Sequence, residues 1–183
     1  PDAVLRQARA SEARWLQNSP AGLVDGVPTS IKDLVLMRGT PTLRGSRTVN
    51  RDQMWDSDAP STARLREHGA VLLGKTTTPE FGWRGTTDNT LTGITRNPLN
   101  LSKTSGGSSG GASSALAAFQ GALAIGTDGG GSIRIPCGFT GTVGIKAHFG
   151  RVPAFPASPM GTVAHVGPMT RTVMDSALML QVI

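Results

Sequence analysis

Apolar and polar positions alternate along this chain with two different periods. Residues 2–17 carry Val4, Leu5, Ala8, Trp15 and Leu16 at helical spacing, which predicts an amphipathic helix with these side chains as its core face. Gly26-Val-Pro-Thr-Ser-Ile-Lys32 predicts a short strand with Pro28 near its edge. Asp58-Ala-Pro60 predicts an N-cap followed by an early helical proline, with the helix running to His68 and stopping at Gly69. Ala70–Leu73, Leu123–Gly126 and Val143–Lys146 are short apolar runs, predicted as buried strands. Residues 97–105 have loop composition, and residues 109–120 predict a helix of small side chains. Thr172-Val-Met-Asp175 predicts a capping box opening a helix that carries Ala177, Leu178 and Leu180. Helices alternating with buried strands imply an α/β fold, a sheet that is at least partly parallel and is covered by helices. No internal repeat or low-complexity linker divides residues 1–183, so one domain is expected. The last helix reaches Ile183 without a stop signal, and the expectation is an N-terminal fragment truncated at its C-terminus.

Composition narrows the class. Hydrophobic residues are 38% and charged residues 16%, too apolar for a disordered chain. No apolar run reaches the length of a membrane span. A single cysteine, Cys137, excludes an internal disulfide framework, and no secretory leader opens the sequence, so a cytoplasmic location is expected. The net charge of +6 is no basic patch: residues 1–103 mix 14 basic with 10 acidic groups, and residues 104–183 hold four and two. With Tyr absent and aromatics at 4%, no base-stacking platform is expected and no nucleic-acid partner. The nearly uncharged stretch 104–183 is expected to be mostly buried.

Two motif matches fail on context. Gly69-Ala-Val-Leu-Leu-Gly74-Lys75-Thr76 fits the phosphate-loop pattern, but its centre is better used as a strand than as a loop over phosphates. Gly106-Gly-Ser108-Ser109-Gly110-Gly111 contains the nucleophile-elbow pattern twice, yet no apolar strand precedes it. His148 and His165, the histidines such a triad would need, are expected to be ordinary surface or loop residues. Ala124-Ile-Gly-Thr-Asp128-Gly129-Gly130-Gly131-Ser132-Ile-Arg134-Ile-Pro136 is different. It follows an apolar strand, and its glycines allow backbone N–H groups to converge beside one hydroxyl. That is the anatomy of a serine nucleophile with an attached oxyanion hole, or else of a plain glycine-rich turn or anion nest.

Those segments together resemble the amidase signature family: Gly106–Gly111, Gly126–Pro136 and Gly141-Thr-Val-Gly-Ile-Lys146, preceded by Asp25-Gly-Val-Pro-Thr-Ser-Ile-Lys32-Asp. Gly74–Phe81, Thr95-Arg-Asn-Pro98 and His165-Val-Gly-Pro-Met-Thr-Arg171 extend the likeness over essentially the whole chain, in order. Ser105, Gly129 and Ala147-His148 depart from the usual residues without touching a side chain proposed for chemistry. The resemblance implies a mixed sheet covered by helices and a Ser–Ser–Lys triad, with Ser132 as nucleophile, Ser108 as bridging serine on a cis peptide bond, and Lys32 as base. It implies an oxyanion hole from the N–H groups of Gly129, Gly130, Gly131 and Ser132, with Ser109, Asp128 and Arg134 in support. No metal or organic cofactor is implied.

The chemistry is self-consistent. Serine needs an adjacent base, and lysine is a base only when neutral, so its pKa must fall through burial or a neighbouring cation. Val27, Ile31, Leu34 and Val35 give Lys32 an apolar setting, although Asp33 adjoins it. Asp128 and Arg134 are read as an ion pair bracing the turn, and Cys137 as a small buried residue. The expected function is hydrolysis of a small-molecule carboxamide to a carboxylate and ammonia or an amine, with no membrane partner and a homodimer allowed. The alternative is the glutaminase component of a tRNA-dependent amidotransferase, although Thr76-Thr-Thr-Pro-Glu-Phe-Gly-Trp-Arg84 looks more like stand-alone bacterial amidases. A catalytically inactive binding module is the third reading, disfavoured by the intact Lys32, Ser108 and Ser132.

Overall fold

The computed structural model describes residues 1–183. In chain order the elements are α1 (Asp2–Leu16), β1 (Pro28–Lys32), α2 (Pro60–Glu67), β2 (Val71–Thr76), β3 (Asp88–Asn89), β4 (Gly93–Ile94), β5 (Arg96–Asn97), β6 (Asn100–Thr104), α3 (Gly110–Ala117), β7 (Leu123–Asp128), α4 (Arg134–Thr140), β8 (Val143–Gly144), β9 (His165–Thr170) and α5 (Val173–Val182). Five strands form one mixed sheet in the order β2-β1-β7-β9-β8. The first three are mutually parallel, and β9 runs antiparallel to both β7 and β8. β3–β4 and β5–β6 are separate two-stranded ribbons.

The sheet is buried on both faces, and strand alternation assigns the sides. On β7, Leu123 and Ile125 join Ile31, Leu65, Leu72, Met179 and Val182 in one core. Ala124 faces the other way, into a smaller core with Ala112, Leu116, Ile133, Cys137 and Met169. Each such large side chain contributes about 1.5–3 kcal/mol when fully buried. The small-residue composition of α3 has a steric reason. The Gly111 N–H donates to the Thr77 carbonyl at 3.2 Å, and a Cβ on Gly111 would stand 2.3 Å from the Thr77 nitrogen and 2.6 Å from its oxygen. The helix therefore approaches the chain after β2 as closely as backbone permits.

Most predicted elements are present with shifted ends. Of the capping box at Thr172 one half forms: its Oγ1 accepts the Asp175 N–H at 3.1 Å, while the Asp175 carboxylate accepts from that same hydroxyl instead of from the Thr172 N–H. Gly69–Thr76 is a turn and a strand, as its apolar centre requires. Several expectations need correction. In α1, Leu5 and Trp15 are 54% exposed and Leu16 81%, Ala8 is exposed, and only Ser11 is buried. That helix is held by polar contacts instead. Arg14 donates to both Asp25 carboxylate oxygens at 2.8 and 2.5 Å, the Trp15 indole donates to the Asp25 carbonyl, and Gln7 accepts the Leu72 N–H. The Arg14 guanidinium holds the Asp25 carboxyl well below the usual range, against the opposing effect of burial. Asp58 does not cap α2. Ala59 occupies the cap position, and the Asp58 carboxylate accepts from the Arg38 N–H and from Arg66 Nε. Residues 100–104, read as loop, form the exposed strand β6.

Strand β9 is the largest omission. Gly167-Pro168 reads as chain punctuation, yet Pro168 sits in an interior strand, opposite Ile125. Its carbonyl accepts the Ile145 N–H at 3.1 Å, so the residue is still bonded on the β8 side, the side on which its N–H is missing. The uncharged stretch 104–183 divides. Residues 105–113 and 123–126 are buried, whereas most of 147–163 is exposed. No helix is long and apolar enough to cross a membrane.

The Gly111 contact predicts a clear stability difference. Gly111→Ala should lower unfolding free energy by about 1–3 kcal/mol or more through overpacking against backbone. Gly138→Ala, where an added Cβ meets nothing within 4 Å, should stay within about 0.5 kcal/mol of the unsubstituted protein. Denaturant titrations of the two variants check this.

Candidate active site

The parallel strands β1, β2 and β7 end at Lys32, Thr76 and Asp128, and the polar side chains gather at this carboxyl end of the sheet. Lys32 is completely buried. Its Nζ lies 2.7 Å from Ser108 Oγ, 2.8 Å from Ser109 Oγ and 2.9 Å from Thr127 Oγ1. No carboxylate is within ion-pair distance of it. Burial pushes the Lys32 amine well below its ordinary pKa, and the more distant charge of Asp128 opposes this only in part.

The three hydroxyls are not equivalent. Ser109 Oγ donates to the Thr127 carbonyl at 3.1 Å and also lies 3.2 Å from the Thr127 N–H, which donates to it. With its proton committed there, Ser109 can only accept from Lys32. A neutral amine has two N–H donors and one lone pair. The lone pair is therefore left for Ser108 or Thr127, whose hydroxyls have no other partner. Ser108 is buried, and the Gly107–Ser108 peptide bond is cis. The Ser109 N–H donates to the Ser132 carbonyl at 3.1 Å, which ties this cluster to the glycine-rich turn.

That turn folds over Asp128. Its buried carboxylate accepts the N–H groups of Gly131 at 2.7 Å and Ile133 at 3.1 Å, and both Arg134 Nε and Nη2 at 2.9 Å. Burial would raise this carboxyl, but the Arg134 fork and the backbone donors outweigh it and bring it down to about 2. The bracing ion pair read from the sequence is present. Gly131 has φ +125°, a conformation that favours glycine. The N–H groups of Gly129, Gly130 and Ser132 donate to no protein acceptor, whereas that of Gly131 is engaged by Asp128. The expected set of four free donors is thus reduced to three.

Ser108, Thr127, Gly130 and Ser132 border a cavity of about 530 Å³, whose remaining wall includes Leu34, Phe81, Trp83, Ile135, Phe155 and Met160. Lys32, Ser108, Ser109, Ser132, Asp128 and Arg134 are therefore brought together. Thr127 is a member of the site that the motifs alone do not single out, although a polar residue closing an apolar strand next to Asp128 is the available signal. His148 is exposed, as expected. His165 is no ordinary surface residue: it is half-buried in β9 opposite Asp128, with Nδ1 2.7 Å from the Val163 carbonyl and 3.2 Å from that of Asp128. Cys137 is buried, and burial pushes its thiol up. No group of three His, Cys, Asp or Glu side chains is placed to hold a metal ion.

A mixed sheet carrying a buried lysine ringed by hydroxyls, next to a glycine-rich serine turn, has counterparts among known proteins. The model of the Amidase family matches residues 1–183, and the chain belongs to that family. It is 44% identical to the A component of the glutamyl-tRNA(Gln) amidotransferase of Streptomyces coelicolor, with 100% of this chain and 37% of that protein covered. It is 43% identical to indoleacetamide hydrolase of Bradyrhizobium diazoefficiens, with 97% and 35% covered. Among solved structures, a bacterial aryl acylamidase of the amidase signature family superposes with a TM-score of 0.90 at 40% identity, over 100% of this chain and 38% of that one. The chain thus spans somewhat more than a third of the length of the relatives it matches.

The burial of Lys32 has a thermodynamic signature. Its folded-state pKa lies below the unfolded value, so between the two the unfolded chain binds a proton that the folded chain does not. Stability then rises with pH in that window. Lys32→Met removes this dependence. Its stability relative to the unsubstituted protein should be most favourable at neutral pH and should decline as pH approaches the ordinary lysine value of about 10.4. Urea titrations across pH 7–10 check the slope.

Proposed function

We propose that the protein is an amide hydrolase that works through an acyl-enzyme on Ser132. The observation that carries this reading is the fully buried Lys32 amine, 2.7 Å from Ser108 and free of any carboxylate partner. A lysine in that setting is neutral and can accept a proton. Ser132 transfers its proton to Ser108 as Ser108 transfers its own to Lys32 Nζ, and Ser132 Oγ attacks the amide carbonyl. The tetrahedral oxyanion is held by the free N–H groups of Gly129, Gly130 and Ser132, and losing one such donor typically costs about 2.7–4 kcal/mol of activation energy. Lys32 returns its proton through Ser108 to the departing nitrogen, and the C–N bond breaks. Water then cleaves the acyl-enzyme along the same path. Thr127 and Ser109 accept the two amine N–H bonds and so hold the lone pair toward Ser108.

The cavity supports an apolar or aromatic amide as substrate. Phe81, Trp83 and Phe155 line it together with Leu34, Ile135 and Met160, which suits the apolar part of such an amide, and Arg44 and Arg84 are charged side chains on the same wall. The second reading, the glutaminase component of an amidotransferase, is favoured by the 44% identity to such a protein. The aromatic wall speaks for the first.

An activated phosphonate should label Ser132 alone, and peptide mass spectrometry finding the adduct on Ser108 or Ser109 would overturn the nucleophile assignment. The rate on simple carboxamides should rise with pH on the acidic limb as Lys32 loses its proton. Lys32→Ala should lower kcat by about 10²–10⁴, the range for loss of a positioned base. The full-length protein should release ammonia or amine from aryl carboxamides without tRNA or other protein chains. Glutamine hydrolysis confined to a multi-protein complex would favour the second reading.

A further inference from the structure

The cavity that holds Ser108 and Ser132 is also bordered by Arg44. The other titratable side chains on its wall are already engaged. Arg84 pairs with Asp88 at 3.0 Å, Asp128 with Arg134 at 2.9 Å, and the His165 ring bonds to main-chain carbonyls. Arg44 has no carboxylate partner, and its guanidinium donates to no protein acceptor. A guanidinium is permanently charged and presents a planar fork of donors that matches a carboxylate with two parallel bonds.

Its backbone is set with unusual care. Arg44 has φ +56°, a left-handed conformation that non-glycine residues adopt rarely and that clusters at ligand-binding positions. Both flanks are fixed. The Leu43 and Gly45 N–H groups each donate to the Asp33 carboxylate at 3.0 Å, and the Arg44 carbonyl accepts the Phe81 N–H at 2.8 Å. Asp33 follows Lys32 directly, so the strand that carries the buried amine also anchors the arginine. Phe81, which shares the cavity wall, is fastened to the same residue.

We propose that Arg44 is a specificity residue that receives a carboxylate carried on the apolar or aromatic part of the amide substrate. The preferred substrate is then an amphipathic amide-acid: the ring packs on Phe81 and Trp83, its carboxylate meets Arg44, and the amide lies at Ser132. This rests on the amide-hydrolase reading and adds the charge of the substrate to it.

The test compares the 3- and 4-carboxy forms of phenylacetamide with their 3- and 4-methyl counterparts, using the full-length protein. The unsubstituted protein should prefer one carboxy isomer over its methyl partner by at least about tenfold in kcat/KM, mainly through KM; one bidentate pair accounts for a factor of this order. Arg44→Met should bring that ratio close to one, and Arg44→Lys should restore part of it. A ratio unaffected by Arg44→Met, or a preference of the unsubstituted protein for both methyl compounds, overturns the proposal. Hydrolysis of the methyl compounds reports on the amide-hydrolase reading separately. Calorimetric binding of the 3- and 4-carboxyphenylacetates to Ser132→Ala protein decides the role of Arg44 without turnover. Binding at least about tenfold tighter than that of the methylphenylacetates supports it, and equal binding refutes it whether or not any amide is cleaved.

Discussion

An ammonium ion moved from water into protein costs several kcal/mol unless an anion meets it. Lys32 is fully enclosed, and the only carboxylate that acts on it, Asp128, is already held by Arg134 and by backbone N–H groups. Burial therefore disfavours its charged form. Much of the surrounding structure follows from that condition. A neutral amine needs two acceptors and one donor, and three hydroxyls at 2.7–2.9 Å supply them. Those hydroxyls must come from two different elements, the start of α3 and the end of β7. This requires α3 to approach the sheet closely, and only glycine at position 111 permits it.

How much of this is legible in the sequence depends on whether a residue's role is local. Lys32, Ser108, Ser132 and the Asp128–Arg134 pair lie in contiguous motifs, and the structure gathers them in one place. The strand through Leu123–Asp128 is legible because apolar residues bounded by glycines have few other uses. Strand β9 is not, since Gly167-Pro168 carries a local signal for a break, and only its neighbours on both sides make it a strand. The face of α1 misleads for a related reason. Helical spacing reports which residues share a side, but an edge helix fastened by Arg14–Asp25 does not have to bury that side. Of the four N–H groups in the glycine-rich turn, that of Gly131 is taken up in a way that spacing does not show: it can serve a ligand or the Asp128 carboxylate, and in the structure it donates to the carboxylate. Thr127 owes its part to the position of Lys32, 95 residues away in sequence.

The cavity draws its chemistry from one side and its shape from the other. Main-chain N–H groups and serines come from the turn after β7 and the start of α3, both packed against the sheet. Phe81, Trp83 and Phe155 come from connecting segments, where substitutions disturb the core least. This division lets members of one family keep a rigid reaction centre while the molecules admitted to it differ, in keeping with relatives described as an indoleacetamide hydrolase and an aryl acylamidase.

Ser109 stands at the joint between these parts. Its N–H grips the carbonyl of Ser132, its hydroxyl grips the main chain of Thr127, and its covalent neighbour is Ser108. One residue thus ties the start of α3 to the end of β7 and to the turn that follows it. In the proposed mechanism a proton passes between the hydroxyls on either side of that tie, a step steeply sensitive to their separation. A change at Ser109 would then be felt in the rate although Ser109 itself takes no part in the transfer.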